Sequence, residues 1–563
     1  MGATFVFRRF QRLRAVLIVA LVVSASASRT VVARGAEENA SEVLERAREA
    51  AAADRHREAI DLYRLALKRD SLLVSTLSIE MGHQYTWAEI PDSAVKWYEV
   101  YLSYHPGDAE GELGLARALS WGGHLKAAAT CYEGIGARGD ESRQDALLGL
   151  AKVRRWQEDY DAAAGAYEQV LSADSGNVDA KIGLAESLNL AGKNRAARDR
   201  YEAILADDPG NQVAVEGLAR AYLWSGRPDL AEETLAKGRA TDPGRGPYEM
   251  DGVLDSMKRP RGSAFTSFRK TTSDGEMRTV GASATFTRPR FLEWTLLCSN
   301  SRLHQSGYPD IHRNDFAATM SRRFSDLVGA TVSAGYELNR FDAFVVPPGP
   351  GTADSFDLFV WDAFATLYPR DWVRVDIATN REAMEIPLPV FKRVHVTTES
   401  IGLDWRLRYR CITFWKAGYS AYSDGNSRMA ATERVEWVSP WQPPETWRTG
   451  VVLLQGLEYT NFSKQLDNGY FSPDNDVYIY GGIRLASAGG GRFGASVEGR
   501  YGGEKESGAE WVSVGSFDVA LRYRIQTNAV LSGGFYKSGS RLDSADGFRA
   551  EGVYLTLDLG GSP

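Results

Sequence analysis

The chain has 563 residues, of which 44% are hydrophobic and 25% charged. That balance excludes a wholly disordered chain and a collagen-like one. The formal charge is −7, so there is no basic excess and nucleic acid is not an expected partner. The three cysteines, Cys131, Cys298 and Cys411, lie far apart without a CxxC pair. This excludes a disulfide framework and a cysteine-built metal site, and each thiol reads as a small buried apolar side chain.

Residues 1–27 have the three parts of an export signal. Arg8, Arg9, Arg12 and Arg14 form a basic start, Ala15 to Val23 a short apolar core, and Ala25-Ser26-Ala27 a small-residue cleavage site. The apolar run is too short to span a bilayer stably. Removing it takes away four arginines and no acid, leaving a mature charge of −11. No later apolar stretch reaches membrane-helix length, so a membrane-spanning form of this chain must cross with strands.

Residues 40–245 carry an internal period. Gly-Leu-Ala recurs at Gly114, Gly149, Gly183 and Gly217, spaced 35, 34 and 34 residues apart. Fourteen residues after each glycine stands Ala128, Ala163, Ala197 or Ala231, followed four places on by Tyr132, Tyr167, Tyr201 or Leu235. Ala94/Tyr98 and Ala59/Tyr63 extend the series to about six copies. Small residues at fixed spacing let helices cross closely, and the tyrosine fills the hole between adjacent pairs. Turns such as Pro106-Gly107-Asp108 and Asp208-Pro209-Gly210-Asn211 end the second helix of each pair. The pattern resembles the tetratricopeptide repeat (TPR) family, which implies an all-α solenoid acting as a protein-binding scaffold. Trp121, Trp156 and Trp224 follow their glycines by seven residues. They read as core packing, with a groove lining as the alternative. His56, His83, His105 and His124 share no metal-ligand spacing and read as surface or packing residues.

Residues 246–261 read as a linker, and the pattern then changes. From 262 to 559 apolar and polar residues alternate with period 2. In 401–410, Ile401, Leu403, Trp405, Leu407 and Tyr409 oppose Asp404, Arg406, Arg408 and Arg410. In 477–486, Val477, Ile479, Ile483 and Leu485 oppose Tyr478, Tyr480 and Arg484. Sixteen such segments are expected, joined by short connectors at 325–326, 369–371, 410–411 and 526–528. Longer ones fall at 305–311, 342–354, 384–392, 463–474, 502–509 and 538–546. An even count with alternating connector lengths predicts an antiparallel transmembrane β-barrel of about sixteen strands. Phe324, Tyr368, Trp372, Tyr409, Trp447, Tyr501, Trp511 and Tyr523 stand near strand ends as interfacial girdles would. With sixteen strands both barrel ends fall on the short-turn side, so the helical repeats and the short turns are expected in the periplasm.

Helical repeats followed by such a barrel resemble the exopolysaccharide export porins of cellulose and poly-N-acetylglucosamine secretion, and the barrel resembles the YaiO type. The resemblance implies a porin-like channel in the cell outer membrane, contacting lipid, a polysaccharide substrate, and periplasmic or inner-membrane secretion proteins bound through the repeats. The strand phase turns Arg374, Arg406, Arg408, Arg484, Arg500, Arg522, Glu337, Glu458, Glu498, Asp376, Asp404 and Asp518 inward. It also turns Tyr478, Tyr480 and Tyr536 inward, where they could stack on sugar rings. The mixed signs leave the polymer's charge open, and the charges pairing among themselves is the simpler reading. The 342–354 connector, stiffened by proline and glycine, is the best plug candidate. A closed barrel that only anchors the repeats is the alternative. An enzyme is the less favoured one, because His304 and His312, near Asp310 and Asp315, form no recognisable motif. No catalytic residue, metal site or cofactor is expected. Glu551 to Leu557 resembles the barrel-assembly signal, although the chain ends on Leu559-Gly560-Gly561-Ser562-Pro563.

Overall fold

The computed structural model describes residues 39–139, 141–244, 246–272, 274–342, 355–384, 389–390, 392–408, 410–439, 449–466, 470, 472–487, 492–539 and 549–560. The expected export signal, residues 343–354 of the plug candidate, Tyr409, Trp447 and the last three residues lie outside them. The chain divides into two compact units. One runs to Ala191 and includes Asp199–Asp207; the other comprises Gly192–Arg198 and Asp208 onward.

In the first unit, helices alternate in pairs: α1 (Ala40–Ala52), α2 (His56–Arg69), α3 (Val74–Trp87), α4 (Pro91–Tyr104), α5 (Ala109–Trp121), α6 (Leu125–Arg138), α7 (Arg143–Trp156), α8 (Tyr160–Ala173) and α9 (Val178–Leu190). Several starts are capped by the turn residue before them. Asp108 accepts from the Gly111 N–H at 2.8 Å and Asn177 from that of Ala180 at 2.9 Å, which satisfies donors that a helix start leaves free. The repeat period has a direct packing cause. The tyrosine of one pair lies flat on the glycine of the next: a Cβ on Gly114 would sit 2.4 Å from the Tyr98 ring, on Gly149 2.4 Å from Tyr132, and on Gly183 2.3 Å from Tyr167. Ala128 and Ala163 are fully buried at the crossings, and Tyr132 and Tyr167 nearly so. Helix α10 (Asn194–Asp207) carries Ala197 and Tyr201, both buried.

In the second unit, α11 (Gln212–Trp224), α12 (Pro228–Thr241) and α13 (Glu249–Lys258) precede the strands. Helix α11 buries Gly217, and α12 buries Ala231. The stretch expected as a linker therefore contains a helix. Its cause is local: Asp251 accepts from the Tyr248 N–H at 2.9 Å, and Tyr248, at the start of this helix, is buried with its hydroxyl against Gly238 of α12.

Sixteen strands follow: β1 (Arg261–Thr271), β2 (Gly275–Arg288), β3 (Leu292–Gln305), β4 (Ile311–Arg323), β5 (Val328–Phe341), β6 (Ser355–Arg370), β7 (Val373–Ala383), β8 (His395–Arg408), β9 (Cys411–Tyr422), β10 (Ser427–Val438), β11 (Thr449–Phe462), β12 (Asp476–Ser487), β13 (Phe493–Glu506), β14 (Val512–Gln526), β15 (Ala529–Lys537) and β16 (Ala550–Leu559). Each pairs antiparallel with its neighbours, and β1 closes on β16 with Phe268 opposite Val553. Closure leaves no free edge. Register irregularities fall between Leu367 and Arg370, Arg406 and Arg408, and Arg524 and Gln526, all at the short-turn end.

Alternation decides the two faces. Val280, Leu296, Phe316, Val332, Ile377, Ile401, Ile483 and Leu555 are exposed outward. The opposite phase carries serine, threonine, glycine and charges. Phe324, Trp372, Trp511 and Tyr523 are exposed near strand ends, as girdle residues would be, whereas Tyr501 is exposed in the middle of β13. Cys298 is also exposed, contrary to the expected burial, because its position in β3 faces outward beside Phe316. The connectors depart from strict alternation at one end. On the long-connector side β2 begins at Gly275, close after β1 ends at Thr271, and residues 423–426 form a tight hairpin between β9 and β10; Gly425, at φ +85°, makes that hairpin possible. Strand β13 also runs to Glu506, past the start of the connector expected at 502.

Candidate functional site: the barrel interior

The inward phase of β6–β14 carries most of the charge. The register sets Glu458 opposite Tyr478, Tyr480 opposite Gly502, Arg484 opposite Glu498 and Glu498 opposite Asp518. These residues share one face with Arg500 and Arg522 on their strands and with Tyr536 opposite Asp518. Arg374 faces Asp404 across β7–β8, and Arg406 lies two residues beyond on the same strand face. Arg408 ends β8 past a register irregularity, opposite Cys411, so the alternation read through Arg410 stops there. Arg406 and Arg522 are exposed at the short-turn end.

Most of these charges are consumed by one another. Arg434 meets Glu436 at 3.0 Å, Glu436 meets Arg484 at 3.1 Å, and Arg484 meets Glu498 at 2.6 Å. Glu498 meets Arg500 at 3.3 Å, and Arg500 approaches Glu458 at 3.9 Å. This alternating belt crosses β10 to β13 and sums to zero. Arg374 sits between Asp376, at 2.6 Å, and Asp404, at 3.6 Å. Single exposed pairs contribute little, but a connected network on a rigid wall fixes side-chain positions. A cavity of about 680 Å³ opens against this wall, and Asp362, Phe364, Phe414, Lys416 and Thr432 line it. Asp362, Lys416 and Thr432 are exposed to it.

The tyrosines behave differently from the sugar-stacking expectation. Tyr478 is fully buried and Tyr480 almost so; their rings stack 4.9 Å apart in a cluster with Val514. Tyr480 lies over Gly456, whose missing Cβ would be 2.3 Å from the ring, and Arg500 covers it at 5.4 Å. Both rings are buried and packed against their neighbours. Tyr536 is half-buried.

At the long-connector end the interior is apolar. Leu303, Ile311, Val396, Tyr422 and Phe462, all inward, form one buried cluster with Met384, Val390, Val394 and Tyr470. No feature of the alternating pattern signals this, because the connector residues lie outside it. The histidines near this end make local pairs: His304 Nδ1 lies 2.6 Å from Asp310 and His312 Nε2 3.3 Å from Asp342. Asp315 accepts from Ser299 at 2.9 Å. Burial opposes ionisation of Asp310, but hydrogen bonds from His304 and Arg302 outweigh it and hold the carboxyl below the usual range.

At the short-turn end, the second unit's helical segments hold the rim. The Arg195 N–H donates to Asp371 at 2.7 Å, and its guanidinium donates to the carbonyls of Pro369 and Asp326. Arg198 pairs with Asp326 at 2.8 Å and Arg227 at 3.5 Å. The hydrogen bond from Arg198 holds the Asp326 carboxyl below the usual carboxylate range.

On the helical repeats, the tryptophans correct the core-packing reading. Trp121, Trp156 and Trp224, with Trp87 at the equivalent place, are 45–57% exposed, because each ends the first helix of its pair. Trp87 packs edge-on to Trp121 at 6.5 Å and stacks with His56 at 6.4 Å.

Residues 188–249 match the tetratricopeptide repeat family. Among solved structures, the chain is similar to a bacterial polysaccharide outer membrane secretin. That similarity is 13% identity over 54% of this chain and 99% of that one, with a TM-score of 0.43. A tetratricopeptide repeat protein from Parabacteroides merdae is 18% identical over 38% of this chain and 84% of its own, with a TM-score of 0.35. YrrB, described as a TPR protein with an unusual peptide-binding site, is 18% identical over 32% of this chain and 92% of its own, at 0.27. No curated protein matches. The chain thus joins TPR helices to a closed sixteen-stranded antiparallel barrel.

Proposed function

We propose that this chain is an outer-membrane channel that exports a polysaccharide. Its TPR helices stand in the periplasm and engage the proteins that make or deliver the polymer. On this reading the protein contacts lipid outside and glycan inside, needs no cofactor, and moves the polymer without cutting it.

The observation that carries the reading is the sorting of the two barrel faces. The outward face presents exposed apolar side chains over most of each strand, as a wall in hydrocarbon must. The inward face is polar, and β10–β13 hold their charges in a self-neutralised belt. A barrel of this strand number is wide enough for an aqueous interior. A hydroxylated chain can exchange hydrogen bonds with such a wall without meeting a large apolar barrier. Half-exposed tryptophans at repeat intervals supply the kind of surface that protein partners use as anchors.

A second reading, a closed barrel that anchors a TPR scaffold, is favoured by the apolar cluster at the long-connector end. Deleting the chain in its native host separates the two. The export reading expects a glycan normally found outside the cell to accumulate in the periplasm, with secretion restored by the full chain but not by the helical repeats on another anchor. Unchanged secretion of every surface glycan would refute export.

A further inference from the structure

We infer that four arginines at the short-turn end of the barrel, Arg288, Arg290, Arg322 and Arg370, form a docking arc for the headgroup phosphates of anionic phospholipids. The inference rests on the outer-membrane reading. The four stand at three successive short turns. Arg288 ends β2, and Arg290 follows it in the turn to β3. Arg322 lies next to the end of β4, and Arg370 ends β6. The register turns three of them outward: Arg288 is opposite Leu292, Arg322 opposite Ala330 and Arg370 opposite Val373. Those partners share the phase of Leu296, Val332 and Ile377, all exposed on the outer face. Arg290 is exposed in its turn.

Each outward arginine closes an apolar band. In the outward phase Arg288 follows Ala284 and Phe286, Arg322 follows Ala318 and Met320, and Arg370 follows Ala365 and Leu367. Phe324 and Trp372 are exposed in the adjoining turns, as aromatic side chains are where acyl chains give way to headgroups. A cation one step beyond them stands at the level of the phosphates.

The charge of this arc is uncompensated. The turns of the sector contain Asp326 and Asp371, and helical residues of the same unit take both: Arg198 and Arg227 hold Asp326, and Arg195 holds Asp371. The outward phase of β2–β7 carries no acid in its short-turn half among the described residues. Arg288, Arg290 and Arg370 meet no carboxylate among the described residues. Arg322 lies over the Phe324 ring at 5.7 Å, and its Nε has no hydrogen-bond partner there. Like charges held on one rigid edge repel, more strongly beside hydrocarbon than in water. A phosphate removes that repulsion, and the guanidinium fork matches its oxygens. A phospholipid satisfies both surfaces at once, with its acyl chains on the apolar bands and its phosphate on the arginines. A soluble anion meets only the charge.

The test uses the full chain with Cys131, Cys298 and Cys411 replaced by serine and a fluorophore on Leu367→Cys, an exposed outward position beside Arg370. The protein is reconstituted in phosphatidylcholine vesicles that hold, at equal mole fraction, phosphatidylglycerol or phosphatidylcholine bearing an acyl-chain quencher. At low salt the phosphatidylglycerol quencher should act as if about fivefold more concentrated, and high salt should abolish the difference. Replacing all four arginines by glutamine should make the two lipids quench equally. Heat-modifiable gel migration identifies variants whose barrel has assembled. Should the fourfold variant not assemble, Arg370→Gln carries the test, and its preference should fall to about half. Equal quenching by both lipids in assembled wild type overturns the inference and leaves a protein or a soluble anion as the occupant. A preference that survives in the assembled variants overturns it too. A chain that does not float with vesicles after alkaline extraction contradicts the outer-membrane reading itself.

Discussion

Single side chains decide more here than bulk composition does. The glycines of the TPR helices are places for rings. Gly183 is the clearest, since a Cβ there would overlap Tyr167, itself nearly fully buried and unable to swing away. Gly183→Ala should destabilise the repeat by about 1–3 kcal/mol, the range for overpacking a filled core, despite alanine's better helix propensity. Thermal unfolding by circular dichroism measures this, and an unchanged or raised midpoint would contradict the packing account. A second residue-scale case is Glu80, which accepts from Arg48 at 2.9 Å and from the Tyr63 hydroxyl at 2.7 Å. Partial burial opposes ionisation, but these two bonds outweigh it and keep the carboxyl below its ordinary value. Glu80→Gln loses the charge-assisted part of both bonds and should cost about 1–2 kcal/mol, read by the same melt.

At the scale of elements, the short-turn rim and the long-connector mouth behave oppositely. The rim is held by charge. Asp326 has a depressed folded pKa, so the stability it contributes is present above its unfolded value near 3.9 and is lost as pH falls through the folded value. Hydrogen exchange of residues 192–198 and 226–229 should therefore be slow at pH 7 and quicken below about pH 4. Asp326→Asn should make that region exchange fast at both pH values, and a variant as protected as wild type at pH 7 would contradict the rim account. The mouth is held by apolar burial, which protonation of carboxylates leaves largely in place. How far each was legible follows from this contrast. Strand count, inward phase and repeat period could be read because alternation and a 34-residue spacing repeat along the sequence. Val390 and Tyr470 could not, because a connector residue carries no periodicity and its burial depends on strand side chains that the fold brings beside it. The exposure of Trp121 was misread for a related reason. Its fixed spacing marks a structural position, and spacing alone does not say which side of the helix the position faces. The burial of Tyr478 shows the converse: phase gave its direction, but not the neighbours that fill the space.

For the whole molecule, the proposed export function requires that a polymer pass along the inward face of the barrel, where β10–β13 hold their charges in a self-neutralised belt. Substituted-cysteine labelling in living cells addresses it most directly. In a chain whose Cys131, Cys298 and Cys411 are replaced by serine, Asp362→Cys places a thiol at an exposed, cavity-lining inward position, and Ile377→Cys places one on the exposed outward face. A hydrophilic maleimide should label position 362 when polymer synthesis is off and do so about tenfold more slowly when it is on, as steric occlusion removes thiol access. Position 377 should stay unlabelled in both states. Equal labelling of position 362 with synthesis on and off would contradict passage of the polymer through the barrel.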